Sequence, residues 1–183
     1  MTSTVRVFDQ PDDQAAWDTL VAAPGGHVLQ TWAWGELKAR FGWRVQRVNV
    51  GAAGAQVLYR SLPGGLGSVA YVPRGPLADT FEDPTLRALL EEIRSLARQQ
   101  RAICLKIEPN LEDNAALAQH LHALGFRPGP QQIQPRRTIL VDLDADPGVL
   151  LKRMKQKTRY NIRLAGRRGV TIRSGDEADL PAF

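Results

Sequence analysis

The chain has 183 residues, 43% of them hydrophobic and 23% charged, proportions that match globular proteins and exclude the disordered and fibrous classes. Its formal net charge of +5 is unevenly placed: residues 1–151 hold 15 Lys and Arg against 16 Asp and Glu, whereas residues 152–173 hold nine basic residues and no acid. No apolar run approaches the roughly 20 residues of a membrane helix, and the opening residues lack the apolar stretch of a secretory signal, so a cytoplasmic location is expected.

In chain order, residues 4–8 are predicted as a strand, and Asp12 or Asp13 opens a helix with Trp17, Leu20 and Val21 on one face. Pro24, Gly25 and Gly26 end that helix. A second helix is predicted over residues 32–40, followed by strands over 43–50, 55–62 and 68–72 that form a small antiparallel meander. Gly64, Gly65 and Gly67 of PGGLGS lie where a tight hairpin needs them, which accounts for them better than a phosphate loop does. Asp83 as N-cap and Pro84 at the first helical position open an amphipathic helix whose Leu86, Leu89, Leu90, Ile93, Leu96 and Ala97 face a core.

Residues 102–107, AICLKI, predict a buried strand in which Cys104 is a small buried thiol, and a single cysteine excludes an internal disulfide. Residues 114–124 then predict a helix ended by Gly125, and 138–143 a further strand, so a first domain is expected over 1–145. Asp146 and Pro147 repeat the helix-opening signal, and Leu151, Met154, Thr158, Ile162 and Ala165 form an apolar seam running to Gly169. A strand is predicted at 170–173. One helix and one strand cannot bury their apolar faces alone, so 146–183 is expected to open a second, truncated domain.

The common catalytic constellations are absent. His27, His120 and His122 are the only histidines, there is no HExxH, CxxC or GxSxG, and neither a metal site nor a cofactor is expected. Three segments carry chemistry instead. In QTWAWGELKARF, Trp34 and Lys38 fall one helical turn apart, which sets an aromatic ring beside an ammonium and suits a phosphorylated sugar or nucleotide. The plainer account is a core tryptophan and a solvated lysine. In YVPRGPLAD, which starts at Tyr71, Pro73 and Pro76 stiffen a turn that presents Arg74 to an anion or carboxylate, the plainer account being an ordinary turn arginine. In KQKTRYNIRLAGRR, Lys152, Lys155, Arg159 and Arg163 line one helix side, with Tyr160 and Asn161 adding a ring and an amide. A solvated basic face is the plainer account here.

Together and in this order, QTWAWGELKARFGW, AYVPRGPL and KTRYNIRLAGRRGV resemble the Fem-type family of peptidoglycan bridge-forming aminoacyltransferases, FemX, FemA and FemB. The resemblance covers nearly the whole chain. It implies an α/β (α+β) fold of two acetyltransferase-like (GNAT-like) domains, each with a mixed, mainly antiparallel sheet, and a precursor bound in the groove between them. It further implies transfer of an amino acid from aminoacyl-tRNA to the stem-peptide amine of lipid II or UDP-MurNAc-pentapeptide, with contact to the inner membrane face through lipid II. On that carry-over Lys38, Trp34, Arg74 and Tyr71 bind substrate from the first domain, and Arg159, Arg163, Lys157 and Tyr160 from the second. Family members continue beyond the point where this sequence stops, so the fragment alone is expected to be inactive.

Two other functions fit parts of the sequence. An acetyl-CoA-dependent N-acetyltransferase would share the element order, but its pyrophosphate loop needs R/Q-x-x-G-x-G/A, and Arg163, Gly166 and Arg168 in RLAGRR miss the last position. A noncatalytic RNA-binding module would use the basic helix, yet no cluster of aromatic residues marks a stacking platform.

Overall fold

The computed structural model describes residues 4–23, 25–78, 84–139 and 141–182; the expected helix breaker Pro24 and N-cap Asp83 lie outside them. The chain divides into two compact units, Met1–Arg136 and Arg137–Phe183.

The first unit is built on a five-stranded sheet in the order β1-β2-β3-β4-β5, comprising Val5–Val7, Arg44–Val50, Ala53–Ser61, Ser68–Pro73 and Ala102–Glu108. The first four strands are antiparallel neighbours, joined from β2 to β4 by glycine-bearing hairpins. A parallel pair needs a crossover, and the helix later numbered α3 supplies it between β4 and β5. This is the mixed, mainly antiparallel sheet expected for the acetyltransferase-like class.

Strand alternation sorts the side chains into two layers. Val48 and Val50 of β2, Ala55, Val57 and Tyr59 of β3, and Ala70 and Val72 of β4 point to one face. There they meet Leu86, Leu89, Leu90 and Ile93 of α3 (Pro84–Gln99), whose three- and four-residue spacing makes one apolar stripe. Each such leucine contributes about 1.5–3 kcal/mol on burial. The opposite face carries Arg47, Gln56, Leu58, Tyr71 and Pro73, and is covered in part by α1 (Gln14–Val21) and α2 (Trp32–Arg40).

A second apolar cluster of Phe8, Trp17, Val21, Trp32 and Leu77 anchors α1 and α2. Three polar side chains beneath α2 are buried but fully engaged. Gln30 accepts from Gln56 N at 2.7 Å and donates to Pro73 O at 2.6 Å. Arg47 lies over the Trp32 ring at 3.6 Å, and donates to Gln56 Oε1 at 2.8 Å and to Trp32 O and Glu36 Oε1 at 3.1 Å each. Gly35 lets α2 approach this network, since a Cβ there would stand 2.3 Å from both Arg47 Nη2 and Gln56 Oε1. The approach of α2 to the sheet, and hence the place of everything on α2, depends on that glycine.

Cys104, expected to be buried, is exposed. Ser68 and Val69 pair with Ala102 and Cys104, so Ile103 is an extra residue in a bulge that shifts the alternation. Cys104 therefore lies on the face of an outer strand away from α3. Beyond β5, α4 (Ala115–Ala123) forms as expected, with Asn114 Oδ1 capping Leu117 N at 2.9 Å and Gly125 ending it at φ 85°. The strand expected over 138–143 is not formed at residues 138, 139 and 141–143.

In the second unit, Asp146 caps α5 (Pro147–Arg153) by accepting from Gly148 N at 2.7 Å. The single long helix expected here is broken: Met154 and Lys155 are extended, at ψ 155° and 147°, before α6 (Gln156–Arg167) starts. The Arg159 guanidinium explains how the break is held. It donates to Lys152 O at 3.1 Å and to Met154 O, satisfying carbonyls that a continuous helix would have bonded internally. The strand expected at 170–173 is also absent, for no described strand pairs with it. Among the described residues no helix is long and apolar enough to cross a membrane.

Candidate functional site

On the sheet face away from α3, α2 and β4 border a small cleft of about 110 Å³, lined by Trp34, Lys38, Trp43, Leu58, Tyr71, Pro73, Ile133 and Gln134. All eight belong to the first unit.

One wall comes from α2. Thr31 opens the helix by accepting from Trp34 N at 3.3 Å, and Trp34 and Lys38 then emerge on one side of it. The Lys38 ammonium lies 5.0 Å from the Trp34 ring centre and 5.7 Å from that of Trp43. Gly42, at φ 80°, turns the chain, and Trp43 N bonds Lys38 O at 3.2 Å, which returns the second indole to the lysine. Arg60 lies 5.4 Å from the same ring, so Trp43 carries two cations. The Trp34 indole N–H is buried and has no partner among the described residues. A buried donor without an acceptor is costly, and an acceptor on a bound ligand would relieve that cost.

The other wall hangs on one carboxylate. The Tyr71 hydroxyl donates to Glu108 Oε2 at 2.6 Å and accepts from Gln134 Nε2 at 3.1 Å. Glu108 also accepts from the backbone N–H groups of Ile133 at 2.8 Å and Gln134 at 3.1 Å, with the Lys106 ammonium 3.4 Å away. Burial is the largest single influence on Glu108 and pushes its carboxyl up, but the Tyr71 hydroxyl, the two N–H groups and Lys106 together hold it below the usual value. Tyr71 shifts upward, first through burial and then through Glu108, and stays protonated as the donor.

Arg74 stands beside this cleft without lining it. Its φ of 50° turns the chain after Pro73, and Nη2 donates to Pro135 O at 2.7 Å, bracing the residues that follow Gln134. Of the four first-unit candidates, three converge on the cleft and the fourth supports its far wall. In the second unit, Lys157, Tyr160 and Arg163 are exposed on α6, while Arg159 is engaged with the end of α5. Among the described residues no group of three or more side chains is placed to hold a metal.

Sequence reasoning missed Trp43, Glu108 and Gln134. Trp43 sits inside the first motif, but beyond Gly42 no helical period relates it to Lys38. Glu108 follows a run that reads as a buried strand, and its only local signal is a charge at the strand's end.

The FemAB family model matches residues 16–183. The lipid II:glycine glycyltransferase of Staphylococcus aureus is 33% identical over 174 residues, which cover 87% of this chain and 41% of that protein. The chain thus spans about two fifths of the length of the curated relatives it matches. Among solved structures, the crystal structure of FemX superposes with a TM-score of 0.80 at 30% identity, covering 97% of this chain and 48% of that one.

Proposed function

The chain belongs to the FemAB family, and on that premise we propose that its protein transfers an amino acid from aminoacyl-tRNA to the stem-peptide amine of a peptidoglycan precursor. The observation that carries this reading is the Lys38 ammonium held between two indoles in a cleft that also presents an unpartnered indole N–H. A cation and a donor beside flat apolar walls suit a precursor's diphosphate and sugar. The named activity of the Staphylococcus aureus relative, on lipid II, supports the same substrate class.

In the reaction, the stem-peptide amine, as the free base, attacks the ester carbonyl of the aminoacyl-tRNA. The C–N bond forms, the C–O bond to the terminal ribose breaks, and the proton lost by nitrogen goes to the departing ribose oxygen through solvent or a side chain. Nothing in this transfer needs a redox step or a metal; positioning and stabilisation of the oxyanion carry it. Lys38, Trp34 and Tyr71 hold the precursor, Arg74 braces the wall beside them, and Arg159, Arg163, Lys157 and Tyr160 of α6 contribute from a second acetyltransferase-like domain that residues 146–183 open. The acceptor is either the soluble nucleotide form or lipid II, which would bring the protein to the inner membrane face.

The test is calorimetric titration with UDP-MurNAc-pentapeptide, with acetyl-CoA as control. Precursor binding that Lys38→Ala weakens supports the reading; binding of acetyl-CoA alone replaces it with an N-acetyltransferase.

A further inference from the structure

One end of the sheet gathers exposed apolar side chains among arginines. Arg44 pairs with Tyr59, Ser61 with Ser68, and Ser68 with Ala102, so the α2–β2 turn, the β3–β4 hairpin and the start of β5 lie side by side. Arg60 Nη1 ties the hairpin strand to Phe41 O at 3.4 Å, and a Cβ at Gly67 would lie 3.3 Å from Ile103 Cγ2. Each of the three segments projects one large apolar side chain into solvent: Phe41 is 67% exposed, Leu66 73% and Ile103 68%. Such clustering at the tips of turns is not what a face in contact with water alone requires.

The charge carried by these three segments has one sign. Residues 37–78 and 93–107 contain no Asp or Glu. Arg40, Arg44, Arg60 and Arg101 are exposed there, and none forms an ion pair with a described residue. Protruding apolar side chains set among unpaired cations match an anionic phospholipid surface, where the tips enter the acyl boundary and the guanidinium groups meet headgroup phosphates. RNA would meet the same charge. Leu66 and Ile103, however, offer no π-face for a base to stack on, and an aliphatic tip gains nothing from a phosphate backbone.

We infer that this end of the sheet is a membrane-docking surface that seats the protein on an anionic bilayer through Phe41, Leu66 and Ile103. Phe41 lies one turn beyond Lys38, and Arg60 shares the Trp43 ring with it, so the docking surface adjoins the Lys38 wall of the cleft. The surface acts without the precursor, and its test is separable from that of the transferase reading.

Flotation of this chain with vesicles of phosphatidylcholine alone, or mixed with phosphatidylglycerol, reads the docking directly. The chain is expected to float with the phosphatidylglycerol vesicles only, and less as salt rises. Phe41→Ser, Leu66→Ser and Ile103→Ser combined should lower vesicle affinity by roughly tenfold or more. Arg40→Gln and Arg44→Gln should lower it by about fivefold each. A fluorophore on Cys104, beside Ile103, should shift to the blue on binding. All substituted side chains are exposed, so an unchanged near-ultraviolet circular dichroism spectrum excludes misfolding, and affinity for soluble UDP-MurNAc-pentapeptide should be retained by the triple variant. Equal binding to both vesicles, no binding to either, or phosphatidylglycerol binding that neither set of substitutions weakens would overturn the inference. RNA binding that competes with vesicles and survives the triple variant would reassign the surface to RNA.

Discussion

The Tyr71 hydroxyl sits 2.6 Å from Glu108 Oε2 and joins neighbouring parallel strands beside the cleft. Because the same carboxylate also gathers the N–H groups of Ile133 and Gln134, a segment with no regular secondary structure becomes a fixed wall.

Glu108→Gln should therefore destabilise the first unit by about 1–3 kcal/mol, because the amide cannot accept all of these bonds as a charged acceptor. The folded-state pKa of Glu108 is depressed, so its contribution is present above the unfolded value and is lost as pH falls through the lower folded value. Urea midpoints measured from neutral pH into the acid range should show the gap between wild type and Glu108→Gln closing below the ordinary glutamate range. A gap independent of pH would remove the carboxylate charge from the explanation.

Lys38→Ala should weaken binding of UDP-MurNAc-pentapeptide by about 1.5–3 kcal/mol and leave the thermal midpoint nearly unchanged. Lys38→Arg should recover part of that loss. Unaltered affinity on calorimetry would take Lys38 out of the site.

Gly35→Ala forces a methyl to within 2.3 Å of Arg47 Nη2 and Gln56 Oε1, both held in a buried network. Overpacking there should cost about 1–3 kcal/mol in chemical denaturation. It should also lower precursor affinity, because α2 carries Trp34 and Lys38.

His27 titrates below its ordinary value, mainly through burial and secondarily through the positive charge of Arg74. Arg74→Ala should raise the His27 pKa in an NMR titration while leaving it below the free value. No movement would show that the guanidinium does not act on that imidazole.

Cys104 should react with a thiol reagent in the native protein as quickly as in the unfolded chain, since β5 leaves it exposed. Protection from the reagent would restore the buried thiol expected from its apolar neighbours.

Much of the first unit was legible because local rules and tertiary packing agree there. The α3 stripe, the end of α4 at Gly125, the PGGLGS hairpin and the meander from β2 to β4 each follow from periodicity or turn chemistry, and each forms. The errors fall where a neighbour decides. A one-residue bulge at Ile103 turned Cys104 outward, and the guanidinium of Arg159 holds a break that the apolar seam of α5 and α6 did not foretell. A strand was expected at 170–173, but strand propensity without a partner makes no ladder.

The sequence by itself determined the helices and hairpins of the first unit and the pairing of Trp34 with Lys38, which depend on residues within a few positions of one another, and the family, which three ordered motifs carry. Only the tertiary structure decided that Trp43 closes on Lys38 from beyond a glycine turn, that Glu108 reaches 37 residues back to Tyr71, and that the segments carrying Phe41, Leu66 and Ile103 meet at one end of the sheet. Hydrogen bonds and burial act between atoms a few ångströms apart, and chain separation carries no trace of that distance until the sheet's register sets which strands are neighbours.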